Sequence, residues 1–409
     1  MTEELETALR RTLRDAAERA PKAPPGIGRE TRHRRAPRGY SKMALTAAAV
    51  TVAIGGATVG GRTLMRGSHS ASGTPVATAN PSPSLRPPKK VKVPPIEKVW
   101  PKTAYREPRT LPGGREYTPL AFIDDRTVLV STDASFEKAG SLYSYDLRDH
   151  TAKHITQVIT PPNTRIFATD FTVGGGYAVW WFTGDYGTDI WSAPLSGGPA
   201  RLVDRAKTPA PSRLTVDGTD AVWSVSGTGG VHRAPLAGGG PAREVPGSRK
   251  AHILTWPWIG SPAANQYLGR QGKNAGDIGF AHVKNVLTGQ TLSARLTDHV
   301  SWNCGVTWCV GNDGKGLTEA QRRDGSGRRA IPPGEPGPSM PPILGRFTIA
   351  LPSGGTIAVY DLDTGRMGDL QIHSGKGGAG LVSPFGPTSR LYYTTTNGGY
   401  VIVDLGAIR

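Results

Sequence analysis

The sequence predicts an all-β fold, a seven-bladed β-propeller, set behind one membrane-spanning helix and a short cytoplasmic helix. Three observations carry that prediction. A blade-sized unit recurs at a mean spacing of about 43 residues. Gly (54) and Pro (35) are too abundant in a 409-residue chain for a mainly helical protein. One 19-residue uncharged run follows a basic tail. Hydrophobic content of 37% still allows a core, which excludes wholesale disorder.

From the N-terminus, residues 2–20 read as one helix. Thr2 caps it, Glu3, Glu4 and Glu6 suit the positive end of its dipole, and Pro21 stops it. Leu5, Leu9 and Leu13 form a narrow apolar stripe that has no core of its own to join, so it is the candidate partner-binding face. The rival reading is a solvated tail. Residues 21–41 are basic and Pro/Gly-rich, suited to anionic headgroups.

Residues 43–61 are bounded by Lys42 and Arg62. As a helix they would rise about 28 Å, close to the bilayer's hydrocarbon thickness. Arg29, Arg32, Arg34, Arg35, Arg38 and Lys42 precede the run, and only Arg62 and Arg66 follow it closely. The positive-inside rule then keeps residues 1–42 in the cytoplasm and exports the rest across the cell membrane. A cleaved signal peptide would need an unusually long charged leader. The formal charge of +17 does not mark a nucleic-acid protein, because residues 1–98 carry +11 of it. Residues 62–98 are a Pro-rich, extended linker.

The repeats occupy residues 99–409. The segments 177–203 and 220–245 are the same unit: Trp181 recurs as Trp223, and Pro194-Leu195 as Pro235-Leu236. Fainter marks centre on Leu147, Leu287, Asp324, Leu362 and Leu405. Four short strands per repeat at this period give propeller blades, with six or eight blades as alternatives to seven. The last repeat ends after its third strand, so residues 98–111 are expected to supply the missing one and close the ring.

The pattern A-P-L-x-G-G-x-x-R at Ala193–Arg201, repeated with one extra glycine at Ala234–Arg243, resembles the blade signature of TolB-like and WD-repeat-like propellers. That resemblance implies a fold and leaves activity open. The layout of residues 1–62 also resembles actinobacterial membrane proteins associated with extracytoplasmic-function sigma factors. It implies a cytoplasmic sigma factor as partner. Residues 1–42 lack the His/Cys zinc set of better-known anti-sigma domains, having no Cys and only His33.

Candidate chemistry is sparse. Cys304 and Cys309 are expected to staple a hairpin in an oxidising compartment. Alignment of Trp308 with Trp223 puts Cys304 in a turn and Cys309 just inside the second strand. His150 and His154 are four apart but expected in a strand-turn context, where they would not share a metal. Asp124-Asp125 and Asp217-Gly218 read as turns, Gly174–Gly176 and Gly238–Gly240 likewise. No catalytic residue, metal or cofactor is assigned. The expected function is a membrane-anchored extracytoplasmic binding or sensor module for an envelope ligand or protein. The alternative is a surface hydrolase or lyase, which needs a convergent cluster in the axial funnel.

Overall fold

The computed structural model describes residues 92–409, apart from 136–137, 186, 263–278, 298–300, 314–316, 333–339, 353–355, 374–388 and 397. The helix expected over residues 2–20 with its Leu5, Leu9 and Leu13, and the membrane span expected over 43–61, lie outside the described residues. Among those described, no helix is long and apolar enough to cross a membrane.

A four-residue helix, α1 (Ile96–Val99), and strand β1 (Ala104–Pro108) precede the repeats. Blade 1 holds β2 (Thr118–Phe122), β3 (Thr127–Ser135), β4 (Lys138–Asp146) and β5 (Ala152–Gln157). Blade 2 holds β6 (Thr164–Gly174), β7 (Tyr177–Gly184), β8 (Gly187–Pro194) and β9 (Arg201–Ala206). In blade 3 come β10 (Pro211–Asp217), β11 (Asp220–Val225), β12 (Val231–Pro235) and β13 (Arg243–Glu244). Blade 4 follows with β14 (His252–Thr255), β15 (Trp258–Gly260), β16 (His282–Asn285) and β17 (Thr291–Ser293). Blade 5 comprises β18 (Ser301–Cys304), β19 (Trp308–Asn312), β20 (Thr318–Arg322) and β21 (Arg329–Ile331). Blade 6 has β22 (Phe347–Ala350), β23 (Thr356–Asp361) and β24 (Met367–His373), and blade 7 has β25 (Leu391–Thr396), β26 (Gly399–Asp404) and β1.

Blades 1 to 6 are antiparallel meanders, in which neighbours in sequence are neighbours in space, and blade 7 is antiparallel with β1 brought in from the start of the domain. The ring closes as the sequence predicts: β1 pairs with β26 from Ala104↔Val403 to Pro108↔Gly399. Five sheets have four strands, and blades 6 and 7 have three among the described residues. In blade 6 the innermost element shrinks to the bridge Ile343↔Phe347.

One hydrogen bond fixes the sevenfold register. The residue after each third strand donates its N–H to the carbonyl just before the second strand: Leu147 to Arg126, Leu195 to Gly176, Leu236 to Thr219, Val286 to Pro257, Arg323 to Thr307, Leu362 to Arg346 and Leu405 to Arg390, at 2.8–3.1 Å. Five of the seven sequence marks fall on this site. Leu287 and Asp324 do not, and the residue before each takes the place. Leu287 is 62% exposed, because Asn285 turns the chain by accepting from the Leu287 and Thr288 N–H groups. In blade 5 the missing leucine is replaced by the buried Arg323.

Two tryptophan equivalences also need correction. Counted from that register, Trp223 matches Trp180 rather than Trp181. Trp180 packs toward blade 1 and Trp181 toward blade 3, because successive strand residues face opposite sides. Blade 2 is two residues longer between second strand and mark, so a spacing of 42 slips by one. Trp308, matched to Trp223 in the sequence, opens β19 and packs toward blade 6. Elsewhere the core lies between blades, in clusters such as Val179, Trp181, Leu214 and Trp223.

Of the turn expected at Gly174–Gly176, Gly175 and Gly176 form it, while Gly174 ends β6 paired with Tyr177. Gly175 has φ +56, and a Cβ there would lie 2.0 Å from the Gly218 carbonyl oxygen, so the two first hairpin turns abut too closely for any side chain.

Candidate functional site

The first strands of successive blades run side by side around the ring axis. Four of them are not regular. Each carries a bulge: at Leu120 in β2, between Thr169 and Thr172 in β6, at Ser212 in β10 and at Leu254 in β14. A bulge leaves a residue without a cross-strand partner and re-aims its side chain. Two of these residues, Asp170 and Ser212, carry chemistry.

Asp170 has φ +53, a left-handed conformation rare for a residue with a side chain. Its Oδ2 accepts the Leu214 N–H at 3.1 Å, which ties blade 2 to blade 3. Removal from water pushes the carboxyl above its usual range, against the opposing pull of Arg213 and the Leu214 N–H. Arg213, adjacent to Ser212, keeps a buried Nε with no hydrogen-bond partner.

Ser212 joins a short polar chain. The Ile253 N–H donates to Ser224 Oγ at 3.2 Å, Ser224 Oγ and Ser212 Oγ are 2.9 Å apart, and Ser212 Oγ is 2.9 Å from His252 Nδ1. Burial holds the His252 imidazole below its usual range, so the ring favours its neutral form, in which Nδ1 can accept the Ser212 proton. The set offers a hydroxyl, a base, a guanidinium and a carboxyl on adjoining first strands. Ser212 Oγ also lies 3.2 Å from the Ser224 carbonyl oxygen, and its contact with His252 has the geometry of general-base assistance.

Among the described residues, Cys304, Cys309, Asp124, His150 and His154 each find a partner within the fold. Cys304 and Cys309 form a disulfide between directly paired residues of β18 and β19. Cys304 therefore ends the first strand rather than sitting in the turn. Asp124 Oδ1 accepts the Arg126 and Thr127 N–H groups, as a turn aspartate does. His154 lies edge-on to Tyr143, and His150 turns away from it toward Glu107. Among the described residues no group of three or more His, Cys, Asp or Glu is placed to hold a metal.

Sequence reasoning missed several buried charged residues, Glu107 and Arg323 among them. Glu107, on the closing strand β1, accepts from the Tyr145 hydroxyl at 2.8 Å and faces His150 Nδ1 at 3.0 Å; burial raises its carboxyl. Arg323 donates to the carbonyls of Gly305, Ala281 and Phe280, and burial holds it down to about 10. Neither has a local signal. A shallow depression at the tip of blade 2, lined by Asp185, Arg205 and Lys207, has its acid and Arg205 committed to Arg165 and Asp189.

No protein-family model matches the chain, and no curated protein matches it. Solved structures do. The WD40 propeller domain of Doa1 is 10% identical, with TM-score 0.38, over 73% of this chain and 97% of that one. Oligogalacturonate lyase from Vibrio parahaemolyticus is 9% identical, with TM-score 0.44, over 74% and 90%. TolB from Acinetobacter baumannii is 15% identical, with TM-score 0.34, over 55% of each chain. The seven sheets themselves establish the propeller; these neighbours span varied functions and add none to this chain.

Proposed function

We propose that the protein is a single-pass membrane protein whose propeller is displayed outside the cytoplasm as a binding module for an envelope ligand or protein. Its N-terminal helix would hold a cytoplasmic partner, with a sigma factor as the leading candidate. The observation that carries the exported reading is the Cys304–Cys309 disulfide, since such bonds persist in oxidising compartments. The bulged wall with Asp170, Arg213 and Ser212 supports binding along the ring axis. Alkylation of thiols in intact cells tests the first part. Both cysteines should resist the reagent until reductant is added, and ready labelling would overturn the exported reading. In the full-length protein, the triple change Leu5→Ala, Leu9→Ala and Leu13→Ala should abolish capture of the cytoplasmic partner; retained capture removes the helix from the mechanism.

The Ser212–His252 contact favours a second reading, a surface hydrolase. A fluorophosphonate probe would then label the wild-type protein and spare Ser212→Ala. Failure to label wild type removes this reading and leaves the binding module untouched.

A further inference from the structure

The chain ahead of the closing strand does not hang free. The Asp369 N–H donates to the Pro94 carbonyl at 2.8 Å, and Pro95 forms a parallel bridge with Asp369 on the outermost strand of blade 6. Ile96 is fully buried and Trp100 nearly so. They share one cluster with Phe347 and Leu370 of blade 6 and Val401 and Val403 of blade 7. Gly368 makes the seat: a Cβ there would lie 2.8 Å from Trp100 Cζ3 and 3.0 Å from Ile96 Cα. Its φ lies outside the left-handed region, so the missing side chain is needed for close approach and not for backbone freedom.

A polar rim surrounds this apolar seat. Gln371 donates to Glu97 at 2.6 Å, Glu97 pairs with Arg106 of β1, and the Arg366 guanidinium lies 5.5 Å over the Trp100 ring while donating to the Val99 carbonyl. Thr103 leaves little slack before β1. Its hydroxyl donates to the Trp100 carbonyl at 2.7 Å, and its own carbonyl accepts the Asp404 N–H at 2.8 Å. Residues 94–108 therefore form one strap, seated on blade 6 at its start and zipped into blade 7 at its end.

We infer that residues 94–100 are a latch that guards ring closure. Seated, the latch bolts blade 6 to blade 7 and holds β1 on β26. Unseated, it frees the closing strand to exchange. The inference holds whichever ligand the propeller takes.

Hydrogen exchange on the full-length protein tests it, with Ile96→Ser and Gly368→Val as variants. Amides of β1 and β26 should exchange about tenfold faster than in wild type, while those of blade 3 keep their protection. Trypsin should also cut sooner after Lys98 and Lys102. Faster cutting with β1 and β26 still protected would overturn the inference, as would equal loss of protection in every blade. Should Gly368→Val fail to fold, Ile96→Ser and Trp100→Ala lie outside the blade strands and carry the test alone.

Discussion

Blades 6, 7 and 1, where the chain's ends meet, are joined differently from blades 2 to 5. At the sevenfold register site the seam blades carry an arginine before the second strand and an aspartate ending the third. Arg346 grips Asp361 through Nε and Nη2 at 2.8 and 2.7 Å, and Arg390 grips Asp404 at 2.6 and 2.6 Å. Arg126 likewise engages Asp146. Two of these arginines also reach across a blade junction, Arg346 to the Ile408 carbonyl and Arg390 to Asp125. Blades 2 to 5 have Gly176, Thr219, Pro257 and Thr307 at that place; apolar side chains such as Trp180 and Trp223 interleave between blades 1, 2 and 3, and Arg323 ties blade 5 to the Ala281 and Phe280 carbonyls of blade 4. The register hydrogen bond is the same in all seven. The difference teaches that the main chain sets the register and that the side chain just before the second strand is free to specialise, as an arginine forked to the aspartate ending the third strand at the seam and as a residue with no such fork elsewhere.

The contrast can be broken at either sector. Trp223→Ala removes a buried indole from between blades 2 and 3 and should cost about 4 kcal/mol in a denaturant titration. A loss below about 1 kcal/mol would mean that the apolar sector is not held by packing. Arg390→Ala should cost somewhat less, about 3 kcal/mol, because it strands the fully buried Asp404 while Arg390 itself is one-third exposed. Adding Asp404→Leu to Arg390→Met should recover most of that loss, since the stranded charge is the main penalty. Without such recovery the fork would owe its worth to the ion pair itself. Smaller still is the hairpin staple. Cys304→Ser with Cys309→Ser should lower stability by about 2 kcal/mol at most, because the disulfide closes a short loop.

Much of this was legible from residues alone, and the reason is local. Strand patterning and turn chemistry recur in each blade, so the period, the closing segment 98–111 and the cysteine hairpin could be read from near neighbours in sequence. The wall chemistry could not. A bulge at Ser212 or Asp170 shifts one residue in a strand whose composition looks ordinary. Gly368 looks like another turn glycine until residues some 270 positions earlier are seen to fill the space above it. Glu107 lies in the segment read as the closing strand, but nothing local marks its burial, which follows from β1 being inserted between a partner strand and Tyr145. The slip between Trp180 and Trp181 has the same origin, since a spacing cannot tell which face of a strand a residue takes.

Two buried groups, one at the seam and one in blade 4, carry opposite responses to acid. Glu107, at the seam, has its carboxyl raised by burial above the ordinary 4.5. A raised carboxyl contributes stability that is present below the unfolded value and lost as pH rises through the folded one. His252, in blade 4, is lowered from the ordinary 6.5 by burial. Its contribution is present above 6.5 and is lost as pH falls toward the folded value. Acidification should therefore tighten the closing strand while loosening the junction of blades 3 and 4. Thermal melts of Glu107→Gln and His252→Asn across pH 4.5 to 8 separate the two. Glu107→Gln keeps an acceptor for the Tyr145 hydroxyl and removes the charge, so it should gain on wild type toward pH 8 and lose that advantage toward pH 4.5. His252→Asn should flatten the decline below pH 6.5. If Glu107→Gln shifted the melt equally at both ends of the range, the buried carboxyl would be acting through shape alone, and the seam would owe nothing to its ionisation.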